Sequence, residues 1–371
     1  MDAIEQRPHV GFYVHYHGMG HKQRTAAILD HLRSEASVIA SRRQAMKWDL
    51  PASIEFLELA CDNDSLSQAG LQHANDVPGL HFAPLWSDNV TDRVARYTDW
   101  LNRTKPDVMV VDVSVEISML TRLASIPQIV MRQHGLRDDP AHTNAYAAAQ
   151  SLLAPFPEMM EDEMTPRWVR DKTVYVDGFH KRDLFTIERP ESNEARQATI
   201  AFLFGHGGPQ DVHRHLSDAA SSLPHCQCVV IGKDAPGEPA ERASNLHYLG
   251  WVNDVTKHVV AADVVVTAAG HNSVMELGQL GSKFIAIAEP RPFAEQLRKV
   301  AVLNREQLAI GLDDWPMPHQ WPTLIQQARK LDPSRWKAIF LQDGAIQAAE
   351  HIDQVASWSH HQRRQPARIS L

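Results

Sequence analysis

The chain has 371 residues, 43% hydrophobic and 22% charged, with a formal net charge of −8 at pH 7. That length suits two domains of ordinary globular composition, and the acidic balance argues against a nucleic-acid partner. No apolar run reaches the ~20 residues of a membrane span, and the first residues lack the features of a signal peptide, so a cytoplasmic location is expected.

In chain order, apolar β-rich runs at 10–15, 37–41, 54–59, 108–112 and 128–132 alternate with helical patterns at 21–34, 91–104, 116–124 and 141–152. This is the pattern of a parallel sheet covered on both faces. Residues 186–196 are polar, contain a proline and read as a linker. The pattern then restarts, with strands at 199–204, 226–231, 246–249, 263–267 and 284–288. Helices are expected up to 222 and at 255–261, 272–280 and 293–304, and the whole of 319–358 reads as helical. Cys226-x-Cys228 lacks zinc spacing and reads as part of a strand. The expected fold is α/β, two Rossmann-like domains facing across a cleft. They span 1–185 and 197–345, joined by the 186–196 linker and followed by a C-terminal helix and tail over 346–371. Ligands of such sheets bind beyond the strand C-termini.

The first strand runs into His15-Tyr16-His17-Gly18-Met19-Gly20-His21. Gly18 and Gly20 let a ligand approach free backbone N–H groups at a helix start, which favours an anion. Gln23 stands where a dinucleotide fingerprint needs its third glycine, and Arg42-Arg43 replace the acid after the second strand; an NADP-dependent reductase stays open on those arginines alone. His21, in the first helical turn, is either a general base, with an ordinary pKa near ~6.5, or a loop-holding residue. Asp112 ends the strand 108–112 at the same sheet edge, where it could orient His21. His15 and His17 have no third ligand at a metal-like spacing, so no metal is expected.

Gly205, Gly207 and Gly208 repeat a glycine loop after the first strand of the second half, where a tight turn serves as well as a phosphate loop. After the strand 264–267 and Ala268-Ala269-Gly270, a helix opens with His271-Asn272-Ser273, suited to phosphate. Ser273 and Glu276 fit a capping box; alternatively, Glu276 accepts the two hydroxyls of a ribose. Glu295 and Gln296 stand where sugar hydroxyls could be read. In the segment 131–146, His134, Arg137, Asp138 and His142 form either an acceptor-binding group or a local salt-bridged turn. Arg42, Arg43, Lys47 and Trp48 read as solvated surface or as a peripheral contact with an anionic membrane.

The stretch 250–304 carries A-D-V-V-V-T…A-G…S…E-L…G-S-K…I-A-I…Q…N. In order and spacing it resembles the C-terminal domain of glycosyltransferase family 28, which includes the UDP-N-acetylglucosamine transferase of peptidoglycan synthesis. The strand–Gly-Met-Gly-His–helix start resembles the N-terminal loop of the same enzymes, and the two stretches cover about a third of the chain. The resemblance implies a GT-B fold and inverting transfer from a nucleotide diphosphate sugar, UDP-linked by family preference, to a hydroxyl acceptor. That acceptor could be a lipid-linked sugar, a polysaccharide end or a small molecule, and no cofactor is implied. Carried over, Glu276 binds the donor ribose, and Gly270, His271, Asn272 and Ser273 face the diphosphate. Glu295 and Gln296 touch the donor sugar, Gly250, Trp251 and Val252 border the base, and His21 stands at the position of a loop histidine used as base in related groups. The chain departs from the family at its second glycine loop, where members carry a longer Gly-Gly-Ser type and this chain has His206 and Pro209. A UDP-sugar epimerase or hydrolase would use the same nucleotide site, and a non-catalytic sensor would keep Glu276 without needing His21.

Overall fold

The computed structural model describes residues 7–16, 19–179, 197–205, 212–236 and 243–365. The expected linker 186–196, Gly18, Gly207 and Gly208 lie outside the described residues. The first sheet is built from β1 (His9–Val14), β2 (Glu35–Ala40), β3 (Glu55–Glu58), β4 (Val108–Asp112), β5 (Gln128–Met131), β6 (Ser151–Ala154) and β7 (Thr173–Tyr175). Its order is β3-β2-β1-β4-β5-β6-β7, every pairing parallel. The second sheet contains β8 (Ala198–Leu203), β9 (Cys226–Ile231), β10 (Leu246–Gly250), β11 (Val264–Ala268), β12 (Phe284–Ile287) and β13 (Ile310–Leu312). It runs β10-β9-β8-β11-β12-β13, again all parallel.

Strand burial follows from this layering. Helices cover both faces of a parallel sheet, so central strands are apolar without alternation, and all five residues of β4 are buried. Each sheet reverses its winding direction beside its first strand, between β1 and β4 and between β8 and β11. At such points the loops leaving neighbouring strands diverge to opposite faces and open a crevice. The two crevices hold the candidate residues described below.

Three strands, β6, β7 and β13, were not expected. The helix expected over 141–152 ends at Ala148, and Ser151–Ala154 pairs with β5 instead; a four-residue apolar run carries no period that separates helix from strand. The stretch 319–358 is not one helix. Trp321–Arg329 is followed by a 3₁₀ segment, Pro333–Ile339, and then by the helix Gly344–Arg364. Asp343 caps that last helix through Ala345 N–H, and Gly344 packs so tightly that a Cβ there would lie 1.9 Å from the Asp177 carbonyl oxygen. The helix then returns to the first sheet: Ala348, Ala349, Ile352 and Ala356 share a core with Val10, Ile28 and Val108. Asp353 also accepts from Ser34 N–H and Oγ–H at 3.0 and 2.6 Å.

Candidate active site

Parallel pairing of β1 with β4 matches Tyr13 to Val111, so the residues just past both strands emerge side by side. His21 lies in the helix Met19–Leu29 that follows β1. Its Nδ1 sits 2.8 Å from Asp112 Oδ2. Arg24, one turn further along the helix, places Nη2 at 2.9 and 2.8 Å from the two Asp112 oxygens and 3.1 Å from His21 Nδ1. Burial would push the Asp112 carboxyl up, but Arg24 and His21 together outweigh it and hold the group well below the usual carboxylate range. With Asp112 ionised, Nδ1 must carry the shared proton, which leaves His21 Nε2 as the basic nitrogen. The backbone past Asp112 is strained: Val113 has φ 62° while Ser114 N–H bonds the Asp112 carbonyl at 2.9 Å. A β-branched residue in that region costs about 1–3 kcal/mol, and such strain clusters at functional sites.

The second crevice meets the first across the domain boundary. β8 pairs with β11 in a register that sets Leu203 beside Thr267, and Gly270 then opens the helix His271–Gln279 as its N-cap. Because the cap is Gly270, Ser273 lies inside the first turn and the expected Ser273–Glu276 capping box does not form. The first turn keeps its N–H groups free of a capping side chain, the arrangement that favours an anion. Asn272 Nδ2 donates to Gln23 Oε1 at 2.7 Å, tying this helix to the one that carries His21. Gly20 lies beside the same contact, its Cβ position 3.4 Å from Asn272 Oδ1.

Lys299, on the helix Glu295–Arg305, is 1% exposed and its Nζ lies 3.1 Å from His271 Nδ1. Burial pulls its pKa down to about 7, opposed by Glu295. His271 is likewise lowered well below its ordinary value, by burial and then by Lys299. Lys299 and His271 line a small cavity with Arg24, Arg132, His134, Phe156 and Glu295.

The remaining candidates separate into two groups. Gly250 (φ 62°) ends β10 and Trp251 and Val252 follow it at the C-terminal sheet edge, with Trp251 largely exposed. Gly205 likewise follows β8, and a side chain there would meet nothing within 4 Å. Ser273 and Glu276 are half-buried. By contrast, several side chains are engaged within the protein. Gln296 is buried and its Oε1 accepts from Glu289 N–H at 2.8 Å. His134 is buried with Nε2 2.7 Å from the Met160 carbonyl oxygen. Arg137 stacks 5.1 Å from the Phe293 ring centre and donates to His142 Nε2 at 2.9 Å and to Gln133 Oε1 at 2.9 Å. Asp138 beside it is exposed. Here the two domains touch: Leu136 N–H bonds the Phe293 carbonyl at 2.7 Å, and Gly135 beside it has φ 125° and no room for a Cβ, which would lie 2.8 Å from that oxygen.

His81, Asp139 and His142 form the one His/Asp/Glu/Cys group close enough to hold a cation among the described residues. Its hydrogen bonds do not suit one. Asp139 accepts from His81 Nε2 and His142 Nδ1 at 2.9 and 2.5 Å and also caps the helix Pro140–Ala148. His142 could ligate through Nδ1 only by moving its proton to Nε2, where Arg137 already points a donor. In the basic–aromatic group near residue 45, Arg42, Arg43 and Lys47 are exposed, as a solvated surface requires, but Trp48 is 4% exposed in the first core. Arg42 pairs with Asp64 at 2.6 Å, and Arg43 covers Phe56. No helix among the described residues is long and apolar enough to cross a membrane.

Two residues of this site, Arg24 and Lys299, were not among those expected. Each carried a weak signal in the sequence: Arg24 lies three residues after His21, and Lys299 lies four after Glu295, beside Val300, Val302 and Leu303.

Comparison with known proteins agrees with this geometry. Residues 230–339 match the glycosyltransferase family 28 C-terminal domain. No curated relative matches the sequence. Among solved structures, the glycotransferase of kitacinnamycin superposes with a TM-score of 0.67 at 14% identity, covering 94% of this chain and 100% of that one. Arabidopsis thaliana UGT89C1 complexed with UDP gives 0.64 at 13% identity, covering 94% and 100%. Acinetobacter baumannii MurG gives 0.63 at 14% identity, covering 95% and 99%. At these identities the structural likeness establishes the fold, and the family match adds the character of the C-terminal domain. The chain has the two-domain α/β GT-B fold, and its C-terminal domain resembles that of glycosyltransferase family 28.

Proposed function

We propose that the protein transfers a sugar, with inversion at the anomeric carbon, from a nucleoside diphosphate sugar to an acceptor hydroxyl, with His21 as general base. The observation that carries this reading is the 2.8 Å contact between His21 and Asp112 in one crevice, facing the open first turn of His271–Gln279 in the other. The acceptor oxygen attacks the anomeric carbon while its proton passes to His21 Nε2. The bond from that carbon to the diphosphate oxygen breaks, and the electron pair leaves with the diphosphate. Asp112 stabilises the imidazolium that forms, and Arg24 holds Asp112 ionised and in position. The N–H groups of the first helical turn stabilise the leaving charge, each contributing on the order of 2–4 kcal/mol by analogy with oxyanion holes. This route calls for no metal and no cofactor. Glu276 reads the ribose, and Gly250, Trp251 and Val252 border the base. Uridine is the favoured base, in keeping with the UDP carried by the Arabidopsis neighbour.

The reading is tested by following UDP release from UDP-sugars in wild type and His21→Ala. The expected result is a loss of about 10²–10⁴ in turnover, the usual worth of a general base, with UDP binding retained. Equal turnover in both proteins would remove His21 from the chemistry.

A further inference from the structure

The cavity between the two crevices is unbalanced in charge. Arg24 is matched by Asp112 at 2.8 Å, Arg132 by Glu161 at 2.5 Å and Arg137 by Glu295 at 3.7 Å. Lys299, the most deeply buried of the four cations, has no carboxylate within 4.0 Å among the described residues; it contacts the neutral His271 ring and the face of Phe156. Two further buried donors in the same wall, Arg24 Nε and Arg132 Nε, have no hydrogen-bond partner. A buried ammonium with no carboxylate in contact and two orphaned guanidinium donors are costly features for a fold to keep. They point to a negative group that arrives with a ligand.

We infer that this cavity receives the carboxylate of the transferred sugar, so that the donor is a nucleotide-activated uronic acid. The inference rests on the transferase reading above. Position identifies the molecule. His271 opens the helix proposed to hold the diphosphate, and Arg24 lies one turn beyond the proposed base, so the group between them is the sugar that joins the two. Of the three cations that line the cavity, Arg24 and Arg132 are paired with Asp112 and Glu161, and the lining Glu295 is engaged by Arg137, which leaves Lys299 to match; a carboxylate supplies one negative charge, whereas a phosphate monoester carries up to two near neutral pH. Lys299 would donate to one carboxylate oxygen and the orphaned guanidinium N–H groups to the other. Its bond to His271 Nδ1 fixes the tautomer with the proton on Nε2, which adds a donor to the same wall.

Calorimetry of matched donors tests this on the full-length protein: UDP-glucuronate against UDP-glucose, GDP-mannuronate against GDP-mannose, and UDP or GDP alone. In wild type, the uronate should bind at least about tenfold more tightly than its neutral counterpart. Lys299→Met, and Lys299→Gln (which keeps a donor for His271), should abolish that preference while changing nucleoside diphosphate binding less than about twofold. Thermal melting establishes that both variants are folded. Equal binding of the two donor classes in wild type would overturn the proposal, and the carboxylate would then have to come from the acceptor. An equal loss for UDP, UDP-glucose and UDP-glucuronate in the variants would also overturn it, because Lys299 would then serve the diphosphate. Binding of no nucleotide at all would instead sink the transferase reading, a distinguishable failure.

Discussion

Asp112 serves two partners, because Arg24 Nη2 lies against both of its oxygens and His21 Nδ1 against one. This makes Asp112→Asn an informative change. Arg24 can only be met by the amide oxygen, which turns the amide NH₂ toward His21. Nδ1 must then accept, the proton moves to Nε2, and the base is lost with its geometry intact. The expected outcome is a turnover loss of about 10²–10⁴ with unaltered nucleotide affinity, read from steady-state rates and calorimetry. Lys299 makes the opposite kind of prediction. Unfolded, it holds its proton up to about 10.5; folded, it releases it at about 7. Between those values the unfolded state binds more protons, so this residue makes stability rise with pH across the window, and below it the full penalty remains. Lys299→Met should therefore stabilise the ligand-free protein by about 1–4 kcal/mol below pH 7, with a gain that shrinks toward pH 10 in thermal melts. Such stability withheld for the sake of a site is a common trade-off. His21 and Asp112 were legible as a pair because both lie at a strand end on one sheet edge. Lys299 carried only the weak signal of its helix face, which does not by itself show that a lysine is buried.

The two domains meet through short elements with unusual backbones. Gly135 at φ 125° and the αL pair Phe293 and Ala294, at φ 58° and 51°, press two loops together around the bond from Leu136 N–H to the Phe293 carbonyl. Gly135→Ala sets a Cβ against that oxygen in a conformation alanine avoids. It should cost about 1–3 kcal/mol in urea unfolding and loosen the seat of Glu295. The segment reads in sequence as the start of a helix at 293, but the helix begins at Glu295; left-handed residues before a helix leave no period to detect. The same limit explains β6, β7 and β13, strands of three or four residues. The long central strands were readable because both faces of a parallel sheet demand unbroken apolar runs.

At the scale of the whole molecule, the restart of the strand–helix pattern near 199 reveals the two sheets, and each sheet's winding order places its crevice. What sequence does not show is how the crevices face each other, because those contacts join residues such as Gln23 and Asn272 that are remote in the chain. Nor does it show that the final helix belongs to the first core. Deleting residues 344–371 should expose Val10, Ile28 and Val108 and destabilise the first sheet far more than the second, a difference that hydrogen exchange resolves strand by strand. The central claim is that the second crevice is a nucleoside diphosphate site read by Glu276. Calorimetry of UDP, GDP, dTDP and NADP on wild type and Glu276→Ala tests it most directly. One nucleoside diphosphate should bind at micromolar level and weaken by about 1–3 kcal/mol in the variant. Binding of NADP alone, indifferent to Glu276, would contradict the account.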